Sequence, residues 1–183
     1  LAIPKTEIEL SNYLQKKFSN KIVIVKGSMT DVRSRFIDSI NQYPCDAFIR
    51  VCADNPLIQA SFLRELISTY NEGDYDYIYN DARRNKRDEF IDGFGAELIK
   101  VKTFLERSKE QDDDLVKEHV TWGFSNEQRF KLRVPSWVTI NFKSELIVDV
   151  NTSEDLKVLN SIQEPTLGYS SQELLEYLHE HSR

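Results

Sequence analysis

The stretch Phe48–Ile58, FIRVCADNPLI, decides how this sequence is expected to fold. Its first half is a short apolar run interrupted only by Arg50, which predicts a buried β-strand. The strand has to stop at Asp54-Asn55-Pro56, because proline has no N–H to donate and restricts the residue before it. Open α/β folds hold their ligands at the carboxyl edge of the sheet, so a strand that ends in a carboxylate predicts a ligand site there.

Strands and helices alternate on both sides of this stretch. Strands are predicted over residues 1–3, 21–25, 47–52 and 74–80, with helices over 6–18, 31–41 and 60–70 between them. The helix over 60–70 is expected to bury Phe62, Leu63, Leu66, Ile67 and Tyr70. This β-α-β alternation is typical of a parallel sheet with helices on both faces. The predicted fold class is therefore α/β, with three layers and a mostly parallel sheet.

The pattern is looser after residue 80. A charged loop over 81–91 and an extended segment over 92–101 are followed by helices over 102–109 and 112–124, and by strands over 130–135 and 145–150. Thr152–Asp155 has the form of a capping box and opens a helix that runs to residue 162. Residues 1–162 are thus predicted to form one α/β domain, and 163–183 a helical tail behind a hinge.

Composition excludes several classes of protein. The chain has 183 residues, 40% hydrophobic and 30% charged, which indicates a globular domain. A net charge of −6 disfavours a nucleic-acid binder, and no apolar run approaches the roughly 20 residues of a membrane span. Cys45 and Cys52 lie too far apart along an extended strand for a disulfide. A reduced, cytoplasmic setting is therefore predicted.

Oxygen ligands recur at two predicted strand ends. Asp54 follows one strand, and Asp149 and Asn151, two residues apart and so on one face, close another. Carboxylate oxygens suit Mg²⁺, which takes one or two carboxylates together with substrate phosphates. The alternative interpretation is local: Asp54 is a good turn former, and Asn151 a good helix cap.

Other polar groups are less specific by themselves. Asp92-Gly93-x-Gly95-x-Glu97 could line a sugar or nucleotide pocket, and Glu118-His119 lies on a predicted helix. Each of these groups also has a purely structural interpretation. The basic run 83–87 is either an anion patch or a solvated loop. His179 and His181 have the wrong spacing for a metal site on one helical face.

Taken in order, these motifs resemble the cytidylyltransferase family that includes spore-coat polysaccharide proteins and sugar-acid cytidylyltransferases. Residues 50–58, RVCADNPLI, are similar to its R-x-T-A-D-x-P-L-I motif. Further along the chain, Tyr79-Asn80 is similar to its Ser-Asn strand end, 92–97 to its D-G-x-x-x-E, 118–121 to its E-H-V-T, and 151–156 to its D-T-P-E-D-L. The resemblance covers about residues 22–159.

The resemblance implies a nucleotide-diphospho-sugar transferase fold, similar to the GT-A fold, and a reaction. A hydroxyl of a sugar or sugar acid attacks the α-phosphate of CTP, pyrophosphate leaves, and Mg²⁺, or alternatively Mn²⁺, neutralises the phosphates. The implied site residues are catalytic Asp54 and Arg50, the metal ligands Asp54, Asn151 and Asp149, and the substrate-binding residues Asn55, Asn80, Asp92, Gly93, Glu97, Glu118 and His119. Homodimers are an expected form.

One part of the family pattern has no counterpart in this sequence. The N-terminal nucleotide loop, of the form A-R-x-G-S-x-R-L-P-x-K, does not occur, and Leu1–Pro4 resembles the end of the family's second strand. The first strand, that loop and the first helix are therefore expected to precede Leu1. Two rival functions stay open. One is a GT-A glycosyltransferase, although Ala53-Asp54-Asn55 has one acid where Asp-x-Asp is usual, and the other is a non-catalytic domain that binds a sugar nucleotide.

Overall fold

The computed structural model describes residues 1–79, 95–110, 114–121, 124, 132–133, 148–161, 173–174 and 176–177. The chain divides into two compact units, Leu1–Ala47 with Lys100–Arg129, and Phe48–Ile99 with Phe130–Arg183. The predicted boundary at residue 163 lies outside the described residues. No helix in the described ranges is long and apolar enough to cross a membrane.

The first unit contains a small parallel ribbon and several helices. Strand β1 (Ala2–Pro4) pairs with β2 (Val25–Gly27), and α1 (Ile8–Phe18) with a 3₁₀ turn at Ser19–Lys21 connects them. Helix α2 (Val32–Gln42) packs on both strands. It begins at Asp31, whose carboxylate accepts a hydrogen bond from the Ser34 N–H at 2.8 Å and caps the helix.

Two short helices complete the described part of the first unit. Helix α4 (Val101–Arg107) follows a strand without a loop, and the Val101 N–H donates to the Asp46 carbonyl at 2.9 Å. Helix α5 (Asp114–Glu118) packs against α2. The predicted helix over 112–124 is therefore too long, because the described residues after Glu118 form turns.

The second unit is organised on a sheet. Its strands β3 (Ala47–Val51), β4 (Tyr77–Tyr79), β5 (Ala96–Lys100) and β6 (Leu132–Arg133) lie in the order β3-β5-β4-β6. The pair β4–β6 is parallel and the pair β4–β5 is antiparallel. Helix α3 (Ala60–Glu72) packs on β4, helix α6 (Ser153–Ser161) follows residues 148–152, and residues 173–174 and 176–177 are helical.

Three further details of the predicted elements are wrong. Strand β2 begins at Val25, not at Lys21, because β1 pairs only with Val25–Gly27; Val23 is exposed. Residues 148–150 form no strand, and the preceding part of that prediction lies outside the described residues. On α3 the buried positions are Phe62, Leu66 and Thr69, whereas Ile67 is 47% exposed.

The α/β fold class is confirmed. The core of the second unit consists of apolar and aromatic side chains from α3, β4 and β5: Phe62, Leu66, Tyr77, Ile78, Tyr79, Leu98 and Ile99. The antiparallel β4–β5 pair departs from the parallel order that simple strand and helix alternation predicts. Cys45 and Cys52 are not joined by a disulfide, as predicted.

Candidate functional site

A tight turn follows β3 and carries Asp54. The Asn55 N–H donates to the Cys52 carbonyl at 3.2 Å, which closes the turn. The Asn55 side chain donates from Nδ2 to the Gly95 carbonyl at 2.8 Å. Asn55 was predicted to bind substrate, and here its amide N–H group anchors the turn to the residue that precedes β5. The strand end that presents Asp54 is therefore held on two sides.

A second segment meets this turn through the backbone. The Val150 N–H donates to the Asp54 carbonyl at 2.9 Å, so residues 149–151 lie beside the end of β3. Asp149 is buried, and the Asn151 Nδ2 donates to the Asp149 Oδ2 at 2.7 Å, with Asn151 itself exposed. The structure therefore brings together the three oxygen-bearing residues that the sequence predicted. Asn151 is placed as a hydrogen-bond donor to Asp149.

Two carboxylate oxygens at this junction are unsatisfied. Asp54 Oδ1 and Asp149 Oδ1 are buried, and neither accepts a hydrogen bond from the residues that the structure describes. A buried carboxylate oxygen without a partner is costly, and nearly all such groups are satisfied by a donor, water or an ion. Two carboxylates from neighbouring segments are also the protein ligands that Mg²⁺ commonly uses. The residues therefore fit a divalent cation.

The described residues contain no cluster of three or more His, Cys, Asp and Glu side chains arranged to hold a metal. A site built on Asp54 and Asp149 would accordingly be incomplete by itself. Such incompleteness suits Mg²⁺, which keeps several waters and binds through one or two carboxylates plus substrate phosphates. It does not suit a structural zinc site, which is closed by protein ligands.

Helix α6 holds the 149–151 segment from its other side through the predicted capping box, which is confirmed. The Asp155 Oδ2 accepts from the Asn151 N–H at 3.0 Å, the Thr152 N–H at 2.6 Å and the Thr152 hydroxyl at 2.9 Å. The Asp155 N–H donates back to Thr152 Oγ1 at 3.3 Å. The hydroxyl and N–H of Thr152, followed by the Asn151 N–H, lower the pKa of Asp155, because these donors favour the ionised carboxylate.

Replacing Asp155 by alanine is expected to lower the melting temperature at neutral pH. Because the folded-state pKa is below the unfolded one, this stabilisation is present above about pH 4, near the ordinary aspartate value, and is lost as the pH falls through the folded pKa. The melting temperatures of the wild type and of Asp155→Ala, measured between pH 7 and pH 3, should therefore converge as the pH falls. Glu154→Ala is the control, since Glu154 lies in the same turn and its ion pair among the described residues is with exposed Lys157. A difference in melting temperature between Asp155→Ala and the wild type that stays constant over this pH range would contradict the stabilising role of the ionised Asp155 carboxylate.

Arg50, predicted to be catalytic, is held by the sheet. Its Nη1 donates to the Glu97 Oε2 at 2.6 Å, and the Tyr77 hydroxyl donates to the Glu97 Oε1. Burial by itself lowers the pKa of Arg50, but the charge and hydrogen bond of Glu97, together with Cys52 and Tyr77, raise that pKa above its ordinary value. Glu97 was predicted to bind substrate, and its described contacts are to these protein groups.

The remaining predicted site residues belong to the first unit or lie outside the described residues. Glu118 and His119 are exposed at the end of α5, in the first unit, while Val120 and Thr121 after them are buried. Asn80, Asp92 and Gly93 lie outside the described residues, as do the basic run 83–87 and the histidines 179 and 181. Their predicted roles in substrate binding stay predictions.

Comparison with known proteins establishes the family. A family profile described as cytidylyltransferase matches residues 5–181, nearly the whole chain. The chain belongs to the cytidylyltransferase family. The enzyme is therefore a nucleotidyltransferase that transfers CMP, which confirms the predicted enzyme class. No curated protein matches the chain.

Solved structures agree with this fold. The chain is similar to a cytidylyltransferase from Leptospira borgpetersenii serovar Hardjo-bovis, with a TM-score of 0.81 and 21% identity over 98% of this chain and 75% of that one. It is also similar to 4-diphosphocytidyl-2C-methyl-D-erythritol synthase from Anaerococcus prevotii, with a TM-score of 0.53 and 13% identity over 88% of this chain and 78% of that one. These likenesses support the nucleotide-diphospho-sugar transferase fold.

The contact of Tyr77 with Glu97 was not predicted from the sequence. Tyr77 appeared only as one of the tyrosines of a predicted strand, and nothing in its neighbours indicates a polar partner. Its partner Glu97 lies on the adjacent antiparallel strand, and the pairing of β4 with β5 brings the two together. The sheet pairing, not the local sequence, carries that information.

Proposed function

We propose that the enzyme transfers CMP from CTP to a hydroxyl group of a sugar or sugar acid, in sugar activation for polysaccharide biosynthesis, with Mg²⁺ bound at Asp54 and Asp149. The acceptor oxygen forms a bond to the α-phosphorus of CTP as the bond from that phosphorus to the bridging oxygen of the β-phosphate breaks. The hydroxyl proton passes to solvent or a base, and pyrophosphate leaves. The acceptor class rests on the resemblance of residues 50–58, 92–97 and 151–156 to sugar-activating cytidylyltransferases.

The observation that supports the metal assignment is a pair of buried oxygens, Asp54 Oδ1 and Asp149 Oδ1, that accept no hydrogen bond within the described part of the chain. When bound, Mg²⁺ would neutralise charge on the triphosphate and on the departing pyrophosphate. The protein's own part is positioning. The turn at Cys52–Asn55, tied to Gly95 and to Val150, holds the Asp54 backbone, and Asn151 orients the Asp149 carboxylate. In phosphoryl-type transfer, positioning and charge neutralisation supply most of the catalysis.

The two rival functions, a GT-A glycosyltransferase and a non-catalytic domain, have less support. A GT-A glycosyltransferase would bind a preformed nucleotide sugar, and the family to which the chain belongs catalyses nucleotidyl transfer instead. A non-catalytic domain would not need two buried carboxylate oxygens to which no described residue donates. A cytoplasmic location and a homodimer stay predictions.

The proposal is tested by pyrophosphate release from CTP with a panel of acceptors. Sugars and sugar acids form one group, and a polyol phosphate, an acceptor without a sugar ring, forms the comparison. CTP should be preferred over ATP, GTP and UTP, and release should depend on Mg²⁺ and on a sugar or sugar acid. Turnover with the polyol phosphate alone would keep the family chemistry and overturn the proposed acceptor. Release of a nucleoside diphosphate from a nucleotide sugar would favour the glycosyltransferase.

Replacing Asn151 by alanine is expected to weaken divalent-cation binding about ten- to a hundredfold, the usual effect of losing a group that orients a metal ligand. The variant leaves Asp149 without the donor at its Oδ2, so the carboxylate can rotate. Titration with Mn²⁺, followed by electron paramagnetic resonance, measures the affinity directly. Asn71→Ala is the matched control, because Asn71 is exposed on α3. Equal Mn²⁺ affinity in Asn151→Ala and the wild type would rule out this role.

A further inference from the structure

Three polar side chains form a hydrogen-bonded row across three neighbouring strands. Arg50 lies on β3, Glu97 on β5 and Tyr77 on β4, and these strands are adjacent in the sheet. Arg50 Nη1 donates to one oxygen of Glu97, and the Tyr77 hydroxyl donates to the other. Both oxygens of the Glu97 carboxylate therefore have a donor.

This row is costly to build inside a sheet. Glu97 is 4% exposed and Tyr77 is fully buried, so the carboxylate has lost most of its water. A buried ion pair of this kind contributes little net stability, since desolvation offsets much of the attraction, and apolar side chains of similar size often do as well. What the row provides, and apolar side chains would not, is geometric. Glu97, held by the Tyr77 hydroxyl, sets the position of the Arg50 guanidinium.

Arg50 has N–H donors that no residue in the described ranges uses. Its side chain is 19% exposed against 5% for Glu97, so the guanidinium lies at the more accessible end of the row. The only hydrogen bond it makes to the described residues uses Nη1. A guanidinium carries several N–H donors in a planar fork that matches phosphate oxygens, and no described residue accepts from Nε or Nη2 of Arg50.

The location of Arg50 indicates what that partner is. Arg50 precedes the Asp54 turn on the same strand, and the turn carries one of the two unsatisfied carboxylate oxygens. We propose that Tyr77 and Glu97 are positioning residues, which hold Arg50 so that its remaining donors bind the phosphates of the nucleotide or of the pyrophosphate product. This inference rests on the proposed function for the location of the phosphates, and it adds Tyr77 to the residues that serve them.

The test measures binding of inorganic pyrophosphate, in Mg²⁺ buffer and without any acceptor, to the full chain by titration calorimetry. Tyr77→Phe removes the hydroxyl and keeps the ring that stacks on Tyr79. It is expected to weaken pyrophosphate binding on the order of tenfold, as when a hydrogen bond to a charged group is lost, with a matching rise in KM for CTP. Arg50→Gln should weaken it at least as much. Tyr70→Phe, on α3, is the control and should bind as the wild type does.

A double-variant cycle separates positioning from simple structural support. If Tyr77 acts through Arg50, adding Tyr77→Phe to Arg50→Gln causes no further loss of pyrophosphate affinity. A Tyr77→Phe protein that melts earlier and binds pyrophosphate normally would overturn the inference, as would additive losses in the double variant or a wild type that binds no pyrophosphate. Because no acceptor is present, a wrong sugar class would leave this result unchanged, so failure of the two proposals can be distinguished.

Discussion

Asp54→Asn is expected to lower kcat/KM for pyrophosphate release from CTP by about a thousandfold or more. The substitution keeps the size of the side chain and replaces a charged oxygen, buried and unsatisfied among the described residues, by a neutral group. A metal ion contributes several kcal/mol of charge stabilisation in such reactions, and each 1.4 kcal/mol corresponds to about tenfold in rate. The measurement is continuous detection of pyrophosphate over a range of CTP concentrations, with the best acceptor of the panel at saturation.

The Asp54 experiment has a matched control and a second readout. Asp38→Asn changes an exposed aspartate on α2 in the same way and should leave turnover unchanged. Mn²⁺ titration of Asp54→Asn should show weaker binding in parallel with the lost activity. Full turnover in Asp54→Asn would end the metal assignment. Lost turnover with normal Mn²⁺ affinity would move Asp54 to a different catalytic role.

Phe62→Ala is expected to produce the largest loss of stability, about 3–5 kcal/mol, the usual cost of truncating a buried phenylalanine. Phe62 is fully buried where α3 packs on β4. For a chain of this length the change corresponds to a fall of roughly 10 °C in the melting temperature. Denaturant unfolding, followed by circular dichroism, measures the free energy of unfolding of the variant against the wild type.

Ile67→Ala provides the comparison on the same helix. The sequence pattern placed Phe62 and Ile67 together on the buried side of α3, whereas the structure leaves Ile67 47% exposed. Substitutions at exposed positions usually change stability by less than about 0.5 kcal/mol. If Ile67→Ala is as destabilising as Phe62→Ala, the described packing of α3 is wrong.

The difference between the predicted and the observed buried residues of α3 shows how much a local sequence pattern can predict. The apolar residues of a helix predict a stripe, and here they predict one from Phe62 to Tyr70. The width and direction of the buried part depend on the neighbouring element, which is β4, and the structure buries Thr69 in place of Ile67. Helix existence was therefore predictable from the sequence, and the buried face was predictable only in part.

Strand boundaries show the same difference between what the sequence predicts and what the packing decides. The run Ile22–Val25 is apolar and β-branched, so a strand was expected over 21–25. Pairing with β1 begins only at Val25, and the backbone before it is not part of the ribbon. A strand exists where a partner supplies hydrogen bonds, and the sequence of one segment does not specify its partner's register.

The sequence by itself determined the α/β class, the strand end that presents Asp54, the capping box of Thr152 and Asp155, and the family, because each is written in contiguous residues or in an ordered set of short motifs. Only the tertiary structure decided which hydrogen bonds the side chains of the candidate site make. It placed Asn151 as a donor to Asp149, and it buried Asp54 Oδ1 and Asp149 Oδ1 without a donor among the described residues. It also joined Arg50 to Tyr77 through Glu97. The contacts of Glu97 with Arg50 and Tyr77 link residues far apart in the chain. The sheet register and the burial that create them arise only when the segments pack together.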